Sequence, residues 1–298
     1  MATTVSLVLG SGGARGYAHI GVIEELNRRG YQIISIAGSS MGALVGGVYA
    51  AGALEPYREW VSGLSWIQVL KLLDVGLARG AIHGNKVFSR LETMLGGVLI
   101  DELPIKFTAV ATDITYHKEV WFQHGPLLEA IRASVAVPGF FTPVIKEEHI
   151  LVDGGVLNPL PIIPTVAAQA DLIIAVDLTY SAQNVARAIQ LPHNGWLNEP
   201  GFSDDWPAGK GGEPEPVNTR SVKPPEIGGR LDMLLNAVEV MQSSLTQYKV
   251  AGYPPDLIIP IDKDVCGFFD FHRAVEVIDA GREAARTSLI RLEQGTAV

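Results

Sequence analysis

The sequence predicts an α/β fold in three layers (α/β/α), with a mainly parallel sheet between two layers of helices. Short apolar runs rich in β-branched residues alternate with helix-like segments along the 298-residue chain, which is the pattern of repeated βαβ units. Some runs, such as Leu-Ile-Ile-Ala-Val at 172–176, are apolar at every position. Strands of this kind are buried on both faces, as in a parallel sheet that helices cover on either side.

The elements follow from the positions of these runs. Strands are expected over the apolar β-branched stretches 4–9, 32–37, 106–112, 118–123, 149–152, 171–177 and 256–261. Helices are expected between them, where the apolar residues recur at helical spacing, over residues 16–29, 41–53, 55–62, 84–95, 126–134, 162–169, 231–250 and 271–293. The helix that begins at residue 41 is rich in glycine and alanine, so it can approach the sheet closely.

One segment interrupts the α/β pattern. Residues 181–229 are rich in Pro, Gly, Asn and acidic residues and have too little apolar periodicity to form a core. We expect a long surface excursion within a single domain spanning 1–298, between the motif-bearing core at 5–180 and a C-terminal strand and helices at 231–293. A tolerated insertion is favoured over a lid or partner-binding loop.

Composition and charge exclude several classes of protein. The net charge of −9 argues against nucleic acid as a partner and against electrostatic docking on anionic membranes. No apolar stretch reaches the roughly 18–20 residues of a membrane-spanning helix, and no basic segment of a signal peptide opens the chain. The single cysteine, Cys266, suits a reducing cytoplasm. The dispersed histidines predict no metal site.

A serine lies where a nucleophile elbow would place it. Ser40 is the centre of Gly-Ser-Ser-Met-Gly at 38–42, directly after the apolar run 33–37 and directly before a helix-like stretch. In such an elbow a strand delivers the serine into a strained turn, the glycines leave room where a Cβ would clash, and the helix N-terminus faces the reacting centre. The alternative, an ordinary turn that closes a βα unit, is less favoured in this context.

A second glycine cluster, at residues 10–16, follows the apolar strand 5–9 and opens another helix. A dinucleotide-binding loop is disfavoured because Arg15 stands where GxGxxG requires glycine. A P-loop is disfavoured because the cluster does not end in Gly-Lys-Ser/Thr. The remaining interpretation is an oxyanion hole of consecutive backbone N–H groups, with Arg15 fixing the loop.

The base for such a serine is not an obvious histidine. His193 lies in the polar excursion and His272 begins a predicted helix, and neither has the loop position and preceding acid that a hydrolase triad requires. His19, on the first helix, is expected to pack or to anchor a loop.

An aspartate is the better candidate for the base. Asp153 ends the strand 150–152 and precedes Gly-Gly, which would leave its carboxylate uncovered, and aspartate can deprotonate serine directly in a dry site. Asp113, Asp171 and Asp177 also lie near strand ends. An Asp-Gly-Gly turn alone is commonplace, but beside the other two motifs we favour a catalytic role for Asp153.

Together these motifs resemble the patatin-like phospholipase family, whose pattern is a Gly-rich loop ending in Arg/Lys-Gly, a GxSxG elbow and an Asp-Gly-Ala/Gly block. They stand in the family's order at 12–16, 38–42 and 153–155, and the stretch 133–143 resembles a block that precedes the family's aspartate. The first motif looks closest to the bacterial branch related to the neuropathy target esterase catalytic domain. One departure is Ser11, where many members carry glycine; a negative φ would make this serine tolerable.

The resemblance implies a patatin-like fold and a Ser-Asp lipid acyl hydrolase without metal or cofactor. Ser40 would be the nucleophile and Asp153 the general base in the cleavage of phospholipid, lysophospholipid or related acyl esters. The N–H groups of Gly12, Gly13 and Ala14 would form the oxyanion hole. The supporting residues would be Arg15, Gly16, Gly38, Met41, Gly42, Gly154 and Gly155.

Other functions stay open at this point. The same dyad could serve an acyltransferase or a thioesterase, or the chain could be a non-enzymatic regulatory member of the fold. The partner is expected to be a lipid or acyl-ester substrate, met by a cytoplasmic protein that contacts membranes transiently, through apolar side chains. The candidates for these contacts are Trp60, Trp66, Ile67, Leu70, Leu72 and Leu73. The alternative, that this segment forms an ordinary buried helix pair packed on the sheet, is at least as well supported by the rule that apolar residues lie inside.

Overall fold

The computed structural model describes residues 2–72, 84–181 and 230–295. The chain divides into a main unit, Met1–Tyr180 with Val238–Val298, and a second unit, Ser181–Ala237. The sheet and the candidate site lie within the main unit. Most of the predicted excursion at 181–229 lies outside the described residues.

The strands of the main unit begin and end close to the predicted positions. They are β1 (Thr4–Leu9), β2 (Gln32–Ser39), β3 (Lys106–Asp113), β4 (Lys118–Phe122), β5 (Val144–Lys146), β6 (His149–Asp153), β7 (Leu172–Tyr180) and β8 (Leu257–Asp262). The strand β5 is not predicted from the sequence, because three residues are too few for a periodic pattern.

The helices also follow the prediction, with two differences. They are α1 (Ala18–Arg28), α2 (Met41–Ala50), α3 (Leu54–Ser62), α4 (Trp66–Leu72), α5 (Asn85–Leu95), α6 (Leu127–Ser134), α7 (Ile163–Val166), α8 (Arg230–Gly252) and α9 (Ala274–Glu293). The helix α4 is not predicted, and α7 is shorter than the predicted 162–169. A 3₁₀ turn, Gly13–Tyr17, precedes α1.

The sheet confirms the predicted architecture. Its hydrogen-bonded neighbours follow the path β5-β6-β3-β2-β1-β7-β8, and β4 also pairs with β3. The pairs among β3, β2, β1, β7 and β8 are parallel, whereas β4, β5 and β6 join by antiparallel pairs. The sheet is therefore parallel in its body and antiparallel at one side.

Strand β1 shows how the sheet is covered on both faces. Leu7 and Leu9 belong to the large core cluster that includes α1, α2 and α9. Val8, between them in sequence, packs on the opposite face with Leu160 and with Val250 of α8. Side chains that alternate along a strand point to opposite faces, so helices lie on both sides of the sheet and the three-layer prediction holds.

Helices α1 and α9 approach closely because each carries a glycine at the contact. A Cβ added to Gly281 would lie 2.1 Å from the carbonyl oxygen of Ala18, and one added to Gly21 would lie 2.0 Å from that of Ile278. These distances are far below van der Waals contact, so a side chain at either position requires the helices to separate.

We expect Gly281→Ala to destabilise the fold by about 1–3 kcal/mol, the usual cost of overpacking a core, as measured by chemical denaturation. Gly63→Ala is the matched control, because a Cβ there meets no atom closer than 3.7 Å and the φ of Gly63 is −88°. Equal stability of the two variants would show that α1 and α9 are not held at this distance.

Candidate active site

Strand β2 delivers Ser40 into a strained turn at the start of α2. Ser40 has φ 57° and ψ −125°, a conformation that is costly for a residue with a side chain. Its N–H donates to Ser134 Oγ at 3.0 Å, and that hydroxyl donates to the carbonyl oxygen of Val110 at 2.6 Å. A hydroxyl from α6 therefore ties the strained turn to β3.

The glycines on either side of Ser40 permit close passage of the main chain. A Cβ on Gly42 would lie 2.1 Å from the carbonyl oxygen of Leu9, and one on Gly38 would lie 2.4 Å from the nitrogen of Ala43. The elbow therefore has the strand–turn–helix context that the sequence predicts, with glycine required by the approach of β1 and α2.

Asp153 and Ser40 meet although 113 residues separate them. Asp153 Oδ2 accepts a hydrogen bond from Ser40 Oγ at 2.5 Å, and Oδ1 accepts one from the N–H of Gly155 at 2.7 Å. Both side chains are only 3% exposed. Burial raises the pKa of Asp153 to about 7, against the opposing effect of the hydrogen bonds from Ser40 and Gly155.

The pairing of β3 explains this meeting. Residues 106–110 of β3 pair with β2, and residues 111–113 pair with β6. Since β4 occupies the other edge of β3 at 109–113, β2 and β6 share one edge and meet end to end. Ser39 lies opposite Val110 and Asp153 lies opposite Ala111, which places the serine turn beside the aspartate.

The Gly-rich loop supplies two free donors. The N–H of Ser11 donates to Pro159 at 2.8 Å. Within the described residues, no acceptor faces the N–H groups of Gly12 and Gly13. The φ of Gly13 is +58°, and a Cβ there would lie 2.6 Å from the carbonyl oxygen of Phe268, so this position requires glycine.

The structure corrects the prediction that the N–H of Ala14 belongs to the oxyanion hole. Its N–H donates to the carbonyl oxygen of Phe268 at 2.9 Å, so it is not available to an oxyanion in this arrangement. Ser11, the departure from the family pattern, is tolerated because its φ is not positive.

Arg15 fixes the loop, as the sequence predicts. Its Nε donates to the carbonyl oxygen of Gly12 at 3.1 Å, and its guanidinium forms an ion pair with Glu239 of α8. Gly16 lets the loop lie against the start of α2, since a Cβ there would be 2.3 Å from Met41 Cβ.

The glycines after Asp153 are equally constrained. A Cβ on Gly154 would lie 2.1 Å from the carbonyl oxygen of Val110, and one on Gly155 would lie 2.5 Å from Gln242 Nε2. The Asp-Gly-Gly turn is thus packed between β3 and α8. A side chain at Gly154 would meet the main chain of β3, whereas one at Gly155 would meet the side chains of Gln242 and Ser11.

An apolar pocket opens at Ser40. Its volume is about 880 Å³, counting the space at its mouth. Among the residues that the structure describes, nine aromatic side chains line it: Tyr17, Tyr57, Trp60, Phe88, Phe140, Phe141, Phe268, Phe269 and Phe271. Gly13 and Met41 also line it. The pocket suits an apolar group attached to the atom that Ser40 attacks.

Neither His19 nor His272 replaces Asp153 as the partner of Ser40. His19 is fully buried, its Nε2 lies 2.8 Å from the carbonyl oxygen of Gly10, and burial lowers its pKa to about 4, so it anchors the loop as predicted. His272 is exposed in the short turn Phe271–Arg273. His193 lies outside the described residues.

The rival aspartates have local partners instead. Asp113 accepts from the N–H of Thr115 at 2.9 Å and contacts His149 Nδ1 at 2.6 Å. Asp171 and Asp177 bind the neighbouring Thr4 and Thr179. Of these four aspartates, Asp153 is the one that contacts Ser40.

Three contributors to the site are missed by the sequence analysis. Ser134 lies in the stretch 133–143 that resembles a family block, and this was a usable signal. Gln242 and Glu239 on α8 carry no motif. Their roles depend on contacts with residues more than 80 positions away in sequence.

The fold and this site define a class of protein, an α/β enzyme with an elbow serine, an aspartate partner and an apolar pocket. A family model described as patatin-like phospholipase matches residues 7–166. The chain therefore belongs to the patatin-like phospholipase family, and this membership implies a lipid acyl hydrolase.

Relatives and a solved structure agree with the family. The uncharacterized NTE family protein Rv1063c of Mycobacterium tuberculosis is 40% identical over 97% of this chain and 92% of its own length. Patatin-like phospholipase domain-containing protein 6 of Mus musculus is 31% identical over 59% of this chain and 13% of its own. The crystal structure of VipD from Legionella pneumophila matches the fold, with a TM-score of 0.54 at 14% identity over 96% of this chain and 67% of that one.

The reactivity of Ser40 should depend on the ionisation of Asp153. Because burial raises the pKa of Asp153 to about 7, its carboxylate form, the only one that can accept a proton from Ser40, is depleted below that pH. Labelling by a fluorophosphonate should slow by about tenfold per pH unit on the acid side. A labelling rate that is flat from pH 5 to pH 8 would contradict this assignment.

Proposed function

We propose that the chain is a serine lipid acyl hydrolase that uses a Ser40–Asp153 dyad to cleave fatty-acyl ester bonds of phospholipids, lysophospholipids or related lipids. The observation that carries the proposal is the 2.5 Å hydrogen bond between Ser40 Oγ and the buried carboxylate of Asp153 at the apolar pocket. A carboxylate held in a dry site is a stronger base than one in water.

In the first step Ser40 Oγ attacks the ester carbonyl while Asp153 takes the hydroxyl proton. The N–H groups of Gly12 and Gly13 stabilise the oxyanion of the tetrahedral intermediate. The intermediate collapses with loss of the alcohol, to which Asp153 returns the proton, and an acyl-enzyme remains. Water, deprotonated by Asp153, then releases the fatty acid and regenerates Ser40.

The pocket supports an acyl chain as the group that enters it. Aromatic and aliphatic side chains make up nearly all of its lining, and a polar group placed there would lose its hydrogen bonds to water without replacement. The polar alcohol portion of the substrate therefore stays outside the pocket. Product analysis with ester and thioester substrates, and with alcohol acceptors, separates hydrolysis from acyl transfer.

Ser40→Ala should lower ester hydrolysis by about 10³-fold or more, and Asp153→Asn should be nearly as inactive, because an amide cannot accept the serine proton. Ser40→Ala should keep the wild-type melting curve, and Asp153→Asn should melt in a single transition at or above the wild-type temperature, because it removes a buried group whose ionised form is costly. His272→Ala is the control and should retain full activity. If Asp153→Asn stays active while His272→Ala is inactive, the base is a histidine and the proposed dyad is wrong.

The outer face of α4 is proposed as the contact with the lipid surface. Within the described parts of the chain, no helix combines the length and apolarity needed to cross a bilayer. Val69 of α4 is buried in the pocket wall, whereas Trp66 and Ile67 on the same helix are 59% and 60% exposed. Leu70 is also exposed. An apolar face outside the pocket wall would meet lipid beside the site where an acyl chain enters.

The other candidates for membrane contact differ from these. Trp60 and Leu72 line the pocket, so we assign them to acyl binding instead of membrane contact. Leu73 lies outside the described residues.

Trp66→Ala should reduce hydrolysis of vesicle phospholipid but spare a short soluble ester, because only the vesicle requires surface docking. Vesicle binding should be largely insensitive to salt, since screening removes charge attraction and not apolar contact. Equal losses of activity on the vesicle phospholipid and on the soluble ester would indicate that Trp66 supports the fold and does not dock on lipid.

A further inference from the structure

Helix α8 contacts both loops of the dyad site from one face. Glu239 forms an ion pair with Arg15 of the Gly-rich loop. Three residues later, and on the same side of the helix, Gln242 Nε2 donates to the carbonyl oxygen of Gly155 at 3.2 Å and lies 3.5 Å from Ser11 Oγ. Neither Glu239 nor Gln242 touches Ser40 or Asp153.

The contact of Arg15 with Gly12 controls the direction of an oxyanion donor. The carbonyl of Gly12 and the N–H of Gly13 belong to one planar trans peptide, so they point in opposite directions. Arg15 Nε holds the Gly12 oxygen at 3.1 Å. Fixing this oxygen fixes the direction of the Gly13 N–H, one of the two free donors of the loop.

Arg15 in turn needs a partner. Its side chain is only 4% exposed, whereas that of Glu239 is 25% exposed. A buried guanidinium is stable only when a charge and hydrogen-bond acceptors compensate it. The carboxylate of Glu239 provides the charge, and with it the Arg15 side chain is held against the Gly12 oxygen.

Gln242 acts on the other loop. The carbonyl oxygen of Gly155 accepts from Gln242, and the N–H of the same residue, which lies in the preceding peptide unit, donates to Asp153 Oδ1 at 2.7 Å. Gln242 is 8% exposed, so its amide is held in one orientation by these contacts. The Gln242 side chain therefore lies between the Asp-Gly-Gly turn and Ser11, contacts both, and sets the distance between them.

A third contact keeps α8 in place. Lys249 Nζ donates to Glu119 Oε1 at 2.7 Å, and Glu119 Oε2 accepts from Asn158 Nδ2 at 2.8 Å. The N–H of Asn158 donates to the carbonyl oxygen of Gly154 at 2.8 Å. The helix is thus linked to the dyad turn at both Gly154 and Gly155.

We propose that Glu239 and Gln242 are positioning residues of the reaction: Glu239 acts through Arg15 to aim the Gly13 N–H at the oxyanion, and Gln242 sets the spacing between the oxyanion loop and the Asp153 turn. The inference rests on the proposed hydrolase function. In this proposal α8 supplies no reacting group but aligns the Gly-rich loop and the Asp153 turn, which other elements of the fold supply.

The first test is a comparison of kcat with KM. Glu239→Ala should lower kcat by about tenfold, less than the 10²–10³-fold cost of losing an oxyanion donor outright. It should leave KM within about twofold because neither Glu239 nor Arg15 lines the pocket. Glu239→Gln, which keeps an acceptor for Arg15, should restore part of kcat and guards against misfolding of the alanine variant. Met241→Ala, an exposed neighbour on α8, should match wild type.

A double-mutant cycle decides whether Glu239 acts through Arg15. If it does, Glu239→Ala should cause no further loss of kcat in an Arg15→Ala background. Additive losses, or a rise in KM as the main effect, would overturn the proposal. Gln242→Met removes the amide at similar size and should lower the rate of fluorophosphonate labelling of Ser40 together with kcat; an unchanged labelling rate would overturn the role of Gln242.

Ser40→Ala, measured alongside, separates the two proposals. If Ser40→Ala is inactive while Glu239→Ala and Gln242→Met match wild type, the positioning roles are wrong and the hydrolase function stands. If Ser40→Ala retains activity, the dyad is wrong and the positioning roles fall with it.

Discussion

The hydrogen bond between Ser40 and Asp153 is the contact around which the rest of the site is arranged. It joins two buried groups 113 residues apart, and β3 makes it possible by pairing first with β2 and then with β6 along one edge. The turn that carries Ser40 is strained and needs support to persist. Ser134 accepts a hydrogen bond from the N–H of Ser40, and the main chains of β1 and α2 pack closely against the glycines on either side of the turn.

Burial of Asp153 has opposite consequences for stability and for chemistry. The pKa of Asp153 in the folded protein, about 7, is higher than in the unfolded chain. The stability that this group contributes to the fold is therefore fully present at pH values below the unfolded-state pKa, where the carboxyl is protonated in both states. This contribution is lost as pH rises through about 7. The ionised form, which the proposed mechanism requires, is therefore the less stable one, and the hydrogen bonds from Ser40 and Gly155 offset part of its cost. The apolar pocket that opens at Ser40, the partner of Asp153, is also of a kind that suits an acyl chain.

The sequence predicts most of the fold and the two side chains that meet at the candidate site, because the motifs that carry them are encoded locally. Apolar runs mark the central strands, and the glycines around Ser40 and Asp153 mark turns where main chains approach closely. The exceptions depend on tertiary contacts. Ala14 has a donor like its neighbours, but the carbonyl of Phe268 takes it, and nothing near residue 14 in sequence indicates this. Helix α4 has apolar residues both on its pocket face, at Val69, and on its exposed face, at Trp66 and Ile67. Its sequence therefore gives no clear helical periodicity.

The reacting groups and their support come from different parts of the chain. The segment that matches the family model, residues 7–166, contains Ser40, Asp153 and the Gly-rich loop. The carboxylate that compensates Arg15, the amide that holds Gly155 and the carbonyl that takes the Ala14 N–H all come from residues 239–268. A chain that ended after β7 would keep each family motif and yet leave Arg15 a buried charge without its carboxylate, which is strongly unfavourable. The geometry of the oxyanion loop is therefore a property of the complete main unit, and the motifs alone do not determine it.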